Sequence, residues 1–249
     1  MSTEFLAGRN AIREALRAGR RTVVRVLVAD RVRRAEALDE IIGLAKSMGV
    51  KVEQVPRREI ERLADNVRDQ GVLAEVSAYP YAKIGEMLAL AKQRQELPLL
   101  LVLDDVQDPQ NVGSLLRTAE AVGAHGVLLP ERRAAQVTPS ASRASVGAVE
   151  HLLIARVTNL VRALQQLKEH GIWVAGVEQH DRSQDYRQVA LDAPLALVLG
   201  SEGQGMRRLV AEQCDWLLEL PMQGQINSLN VSIAGSILLY HVWSGRHQL

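Results

Sequence analysis

Between residues 97 and 221 the chain carries six short, nearly uninterrupted apolar runs: LPLLLVL (97–103), HGVLLP (125–130), HLLIARV (151–157), IWVAGV (172–177), LALVLG (195–200) and DWLLELP (215–221). A strand with one face in water alternates apolar and polar side chains, whereas a strand covered on both faces does not. Helix-spaced segments lie between these runs at about 111–123, 140–148, 158–170 and 205–213, and a last one spans about 230–246. The combination predicts an α/β domain built on a mostly parallel sheet.

The front of the chain reads differently. GRNAIREALRAG (8–19) has helical spacing, TVVRVLVAD (22–30) is rich in β-branched residues, and an amphipathic piece covers about 34–48. KVEQVP (51–56), a short helix near 57–66 and VLAEVSAYP (72–80) complete a small α/β module. The expected division is residues 1–78, a connecting helix over 79–97 left before Pro98, and a second domain over 98–249.

The 249 residues are 47% hydrophobic, enough for a substantial core, and no apolar run reaches the ~18 residues of a membrane span. The start, MSTEFLAGRN, lacks the pattern of a secretory signal. A lone cysteine, Cys214, excludes an internal disulfide, and six scattered histidines show no metal-ligand spacing. A cytoplasmic, metal-free protein is expected. Net charge is only +1, but it is unevenly spread: residues 1–78 hold 15 Lys+Arg against 12 Asp+Glu, residues 98–249 hold 12 against 15. The front excess is arginine in clusters, RAGRR (17–21), RVRR (31–34) and RR (57–58). Such clusters suit phosphate recognition, or simply a solvated helix face.

In a parallel sheet ligands gather beyond the carboxyl ends of the strands. Three polar segments follow strand runs: DDVQDPQNVGSLLRTAEAVG (104–123), GSEGQGM (200–206) and PMQGQINSLNVS (221–232). If their strands are neighbours, they form one site. Asn111 stands at a helix start, where it could serve as a cap. Arg117 follows in the second turn, as an exposed arginine, a partner of Glu120 or a functional cation. In GSEGQG the glycines, with Glu219 as the acid nineteen residues beyond Gly200, imitate a dinucleotide fingerprint, but their order is GxxGxG, and Glu202 puts a carboxylate where a pyrophosphate would sit. A cationic ligand without phosphate, such as S-adenosylmethionine, fits better. In INSLNVS (226–232), Ser228 or Asn230 would cap the last helix, yet capping does not occupy all four polar residues of that stretch.

NVGSLLRTAEAVG, LVLGSEGQGM and LPMQGQINSLNVSIA, in that order and spacing, resemble the three signature segments of the SpoU (TrmH-type) branch of the SPOUT RNA methyltransferases. The front module, opening FLAGRNAIREAL, is similar to the L30e-like substrate-binding domain that several members carry. The resemblance implies a trefoil knot near the carboxyl terminus, a homodimer, S-adenosylmethionine as methyl donor and ribosomal RNA of the large subunit as partner. The implied reaction is methylation of a guanosine ribose 2′-hydroxyl. Carried over residue by residue, it assigns catalytic roles to Asn111, Arg117, Glu202, Ser228 and Asn230, and cofactor contacts to Gly200, Gly205, Leu220, Met222 and Leu229.

A guanidinium is effectively always protonated. Arg117 is therefore expected to bind the adjoining phosphate and steady the developing alkoxide, not to act as a base. With eight aromatic residues in the chain, arginine contacts to a folded RNA should outweigh base stacking; Arg132, Arg133 and Arg143 are further phosphate candidates. A transfer RNA methyltransferase and a non-catalytic RNA-binding assembly factor are the competing readings.

Overall fold

The computed structural model describes residues 3–33, 35–64, 69–132, 135–201, 203–226 and 228–247. Glu202 and Arg133, singled out above, lie outside the described residues, as do Arg34 and Asn227. The chain divides into two compact units, residues 1–80 with 137–151, and residues 81–136 with 152–249.

In the front unit the order is β1 (Thr3–Ala7), α1 (Arg9–Ala18), β2 (Val23–Ala29), α2 (Glu36–Ser47), β3 (Lys51–Val55), α3 (Arg57–Leu63) and β4 (Val72–Ser77). Its sheet runs β1-β4-β2-β3, with β4 antiparallel to both neighbours and β2 parallel to β3. Helix α1 buries Ala11, Ile12, Ala15 and Leu16, one face of a 3.6-residue repeat, and ends at Gly19, whose φ of 62° makes a left-handed cap. Strand β1 was not anticipated. TEFLA is too short to show a period, and it becomes a strand by pairing Thr3–Ala7 with Ser77–Leu73 of β4.

The RAGRR cluster is structural. Arg21 has a fully buried side chain, paired with Glu4 and Glu150. Arg17 pairs with Glu14 and Glu40, and Arg20 donates to the Tyr79 hydroxyl and the Pro80 carbonyl.

The second unit contains α4 (Ile84–Arg94), β5 (Leu99–Leu103), α5 (Pro109–Ala121) and β6 (Gly126–Pro130). After β6 the chain contributes α6 (Pro139–Ala144) and a 3-10 turn (Ala148–His151) to the front unit. It then returns as β7 (Ile154–Val157), α7 (Leu160–Glu169), β8 (Trp173–Val177), β9 (Gln184–Asp185), β10 (Leu195–Leu199), α8 (Arg208–Ala211), β11 (Trp216–Glu219) and α9 (Val231–His247). The sheet order is β7-β6-β5-β10-β8-β11-β9, and every described pairing is parallel. All five residues of β5, β6 and β10 are buried, as continuous apolar runs require.

The packing of two segments bears on the domain boundaries expected from sequence. The piece at 79–97 is not a free connector: Ile84 and Met87 of α4 belong to the same buried cluster as Leu100 and Leu128, and Met87 lies so close to Gly126 that a Cβ there would be 2.3 Å from its sulfur. Residues 137–151 belong to the front unit, although the strands on either side of them belong to the second. Val149 accepts a hydrogen bond from the Tyr79 hydroxyl at 3.1 Å, Glu150 faces Arg21, and the His151 ring contacts Glu14 at 3.0 Å. Burial pushes the Glu150 carboxyl above its ordinary range, against the pull of Arg21, and drives the Tyr79 phenol up to about 12.

Candidate functional site

The strand order sets β5, β10, β8 and β11 side by side. Because all are parallel, their carboxyl ends share one edge, and the three segments singled out from sequence leave from it. A fourth loop, after β8, joins them.

The first segment opens on Asp104, wholly buried, followed by Asp105 with a φ of 62°. A non-glycine residue in the left-handed region costs free energy and marks a constrained turn. Asp108, not Asn111, caps α5: its carboxylate accepts from the backbone N–H groups of Gln110 (3.1 Å) and Asn111 (3.4 Å), with Pro109 in the first turn. Asn111 is thereby released from capping. Its side-chain oxygen accepts from Asn230 Nδ2 at 3.0 Å, and the residue is only 7% exposed.

The second segment is a tight hairpin. Ser201 and Gly205 exchange backbone hydrogen bonds of 3.0 and 3.1 Å, with Gly203 and Gly205 at positive φ. Gly200 has a different reason to be glycine: a Cβ there would lie 2.3 Å from the Gly205 carbonyl carbon and 2.4 Å from the Met206 nitrogen. The far end of the hairpin is tied to the first segment. Asp104 accepts from the Arg207 backbone N–H at 2.8 Å and from Arg207 Nε at 2.7 Å. Helix α8 is only one turn, shorter than the 205–213 segment expected, because this loop occupies the residues before it.

The third segment ends at Asn230, whose side-chain oxygen accepts from the N–H groups of Ser232 (2.9 Å) and Ile233 (3.4 Å). Asn230, and not Ser228, is the helix cap. One side chain thus closes α9 and bridges to α5. Further along, Thr118 and Ser236 share a 2.8 Å hydroxyl contact between the same two helices.

Between the second, third and fourth loops lies a cleft of about 560 Å³. Of the predicted residues, Gly200, Gly205, Leu220, Met222, Ser228, Leu229 and Asn230 line it. Asn111 lines a smaller adjoining cavity of about 250 Å³ with Asp105, Gln107 and Asp108, and the two cavities share Ser201 and Gln204. Arg117 lines neither; it is exposed on α5, with no ion pair to Glu120 or any other described residue. Six positions on from Asn111 corresponds to about 240° around a helix, so the two side chains leave different faces.

Glu178 escaped the sequence reading, and Glu219, nineteen residues beyond Gly200, figured there only as the acid of the imitated dinucleotide fingerprint; both line the cleft. Glu178, immediately after β8, presses its carboxylate against Gly205, where a Cβ would lie 2.1 Å from Oε1; Glu219 ends β11. The usable signal was position, since each acid sits at the carboxyl end of an apolar run. Among the described lining residues of the larger cleft there is no Lys, Arg or His. A site with two carboxylates and no opposing cation disfavours phosphate and favours a ligand bearing positive charge or hydroxyl donors.

Residues 98–240 match the model of the SpoU rRNA Methylase family, and residues 5–82 match that of the RNA 2′-O ribose methyltransferase substrate-binding domain. The chain belongs to the SpoU methylase family. A relative from Bacillus subtilis, YacO, whose name assigns it to the TrmH family of tRNA/rRNA methyltransferases, is 43% identical over 244 residues, covering 98% of this chain and 96% of its own. A Staphylococcus haemolyticus relative named for the same family is 42% identical over 249 residues, covering 100% and 98%. Among solved structures, SpoU methyltransferase AviRb from Streptomyces viridochromogenes, determined with AdoMet, superposes with a TM-score of 0.81 at 22% identity, covering 99% of this chain and 92% of AviRb. An AdoMet-bound rRNA methyltransferase from Sinorhizobium meliloti gives 0.77 at 24% identity, covering 99% and 88%. These structural likenesses establish that this SpoU methylase has the fold of the family over both units. Among the described residues no helix is long and apolar enough to cross a membrane, and no cluster of metal-ligating side chains occurs.

Proposed function

We propose that this SpoU-family methylase transfers a methyl group from S-adenosylmethionine to a ribose 2′-hydroxyl of RNA, at a guanosine of 23S ribosomal RNA, as RlmB does. The observation that carries the reading is the acidic cleft, with no cation among its described lining residues, walled by the Gly200–Gly205 hairpin and coupled through Asn230 to Asn111. The cofactor supplies an activated methyl on a sulfonium, together with an ammonium group and a ribose diol. Glu178 and Glu219 suit those donors; Leu220, Met222 and Leu229 supply apolar wall, and Gly200 lets backbone approach closely. Asn111, Ser228 and Asn230 orient the acceptor ribose, with Glu202 in the same role. The trefoil knot belongs to this reading, its loops being the segments that wall the cleft.

Arg117 supplies the cation that is absent from the described lining of the cleft. Helix α9 exposes Ile233, Ile237 and Tyr240, an apolar stripe at helical spacing beside α5. A homodimer formed on that stripe would offer the partner subunit's Arg117 to the acceptor phosphate, while Arg117 of the same chain lines neither cavity. The front unit supplies RNA affinity. Strands β1, β2 and β3 are mutually parallel, so Arg9, Arg31, Arg33 and Arg58, which follow their carboxyl ends, share one sheet edge, whereas Arg57 beside them is engaged by Glu61 and Asp69. The enzyme is placed in the cytoplasm, in keeping with its single cysteine.

Single-turnover methyl transfer and RNA affinity of Arg117→Lys and Arg117→Ala test the assignment. Both should lose transfer, by about 100-fold for alanine, and wild-type rates in both would end it. Mixing Arg117→Ala with a cleft variant should restore activity in the heterodimer if the site is shared. Ribose-methylation mapping in a deletion strain separates ribosomal from transfer RNA, and calorimetry with S-adenosylmethionine separates an enzyme from a pure RNA binder.

A further inference from the structure

A methyl acceptor must lie against the donor, and one described cavity shares walls with the cofactor cleft. It holds about 250 Å³ and meets the cleft at Ser201 and Gln204, while the Asn111–Asn230 hydrogen bond joins a lining residue of each. We propose that this smaller cavity is the subsite for the acceptor nucleoside and that Asp105 reads its base as guanine. The inference rests on the ribose-methylation reading above.

The chemistry of the lining selects the base. Asp105 lies in the turn after β5 and Gln107 Nε2 donates to its Oδ1 at 2.7 Å, which holds the carboxylate and leaves Oδ2 without a described partner. The described lining contains no cation and no aromatic ring, so it is unsuited to a phosphate or to base stacking. A carboxylate accepts two parallel N–H bonds. Guanine alone among the four bases presents two adjacent donors, N1–H and the N2 amino group, on its Watson–Crick edge. Adenine and cytosine place a ring acceptor beside their amino group, and uracil flanks N3–H with two carbonyls; each would set a lone pair against the carboxylate. The Gln204 amide and the second N–H of Gln107 Nε2 remain for O6. The left-handed φ of Asp105 keeps the side chain in this turn, and the same φ means that glycine can replace it without backbone strain.

The test uses full-length enzyme, S-adenosylmethionine and an in vitro 23S rRNA transcript, with the methylated nucleotide identified by mass spectrometry. The expected product is 2′-O-methylguanosine. Ligated transcripts carrying inosine at that position, which lacks the N2 amino group, should be methylated about tenfold or more slowly in single turnover. In Asp105→Gly the guanosine and inosine rates should converge, while S-adenosylmethionine affinity by calorimetry stays at the wild-type value. A product other than methylguanosine, or a guanosine preference over inosine that survives Asp105→Gly, overturns the subsite and leaves the methyltransferase reading standing. Absence of methylation on any RNA overturns that reading, and the subsite with it.

Discussion

Asn230 donates its side-chain amide to the Asn111 oxygen at 3.0 Å, joining residues 119 positions apart while its own oxygen caps α9. The two functions of Asn230 can be separated. Asn230→Asp retains the capping oxygen but removes the donor and faces Asn111 with a carboxylate. Asn230→Ala removes both. Alanine should cost about 1 kcal/mol in urea unfolding from loss of the cap, whereas aspartate should cost little. Both should lose methyl transfer. Wild-type turnover in Asn230→Asp would show that the bridge is only structural.

Gly200→Ala is predicted to damage the cleft severely. Its Cβ would meet backbone atoms of Gly205 and Met206 at 2.3–2.5 Å, and backbone cannot swing aside as a flexible side chain can. The 201–205 hairpin must open. S-adenosylmethionine affinity, measured by calorimetry, should fall at least tenfold, in line with 1.4 kcal/mol of lost binding. Gly43→Ala, on a helix where nothing lies within 4 Å, serves as the control and should bind normally.

His125 predicts a loss of stability in acid. Burial holds its imidazole below the ordinary value of 6.5, outweighing Glu96, which favours the charged form. Its Nδ1 accepts the Leu99 N–H at 3.1 Å, and protonation there must break that bond at the start of β5. A group with a depressed folded-state value contributes nothing adverse at high pH, where both states are neutral. As pH falls below 6.5 the unfolded chain takes up the proton first, and stability declines. Thermal unfolding between pH 7.5 and about 5 should show this slope, and His125→Gln should flatten it.

Arg31 and Arg33, on the edge formed by β1, β2 and β3, should serve RNA phosphates. Replacing both with alanine should weaken RNA binding and reduce the slope of log affinity against log salt by about 1 to 2, with S-adenosylmethionine binding unaltered. Arg17→Ala should leave that slope alone, since its side chain is engaged by Glu14 and Glu40. Equal slopes in all three proteins would remove this edge from the interface.

Read alone, the sequence determined the class of the second unit, because strands covered on both faces must be apolar at every position, and β5, β6 and β10 are. It also determined the polar segments that border the cleft, since Asn, Ser and Gly at strand ends exceed what capping can occupy. Three things needed the tertiary structure. Convergence of the loops depends on the order β5-β10-β8-β11, and no local pattern records which strands become neighbours. The burial of Arg21 against Glu150 joins residues 129 positions apart, so one arginine of a cluster that looks like a phosphate-binding surface lies in a core instead. Glu178 enters the cleft, and Arg117 leaves it, only through the direction each side chain takes from its element, which is set by packing and not by composition.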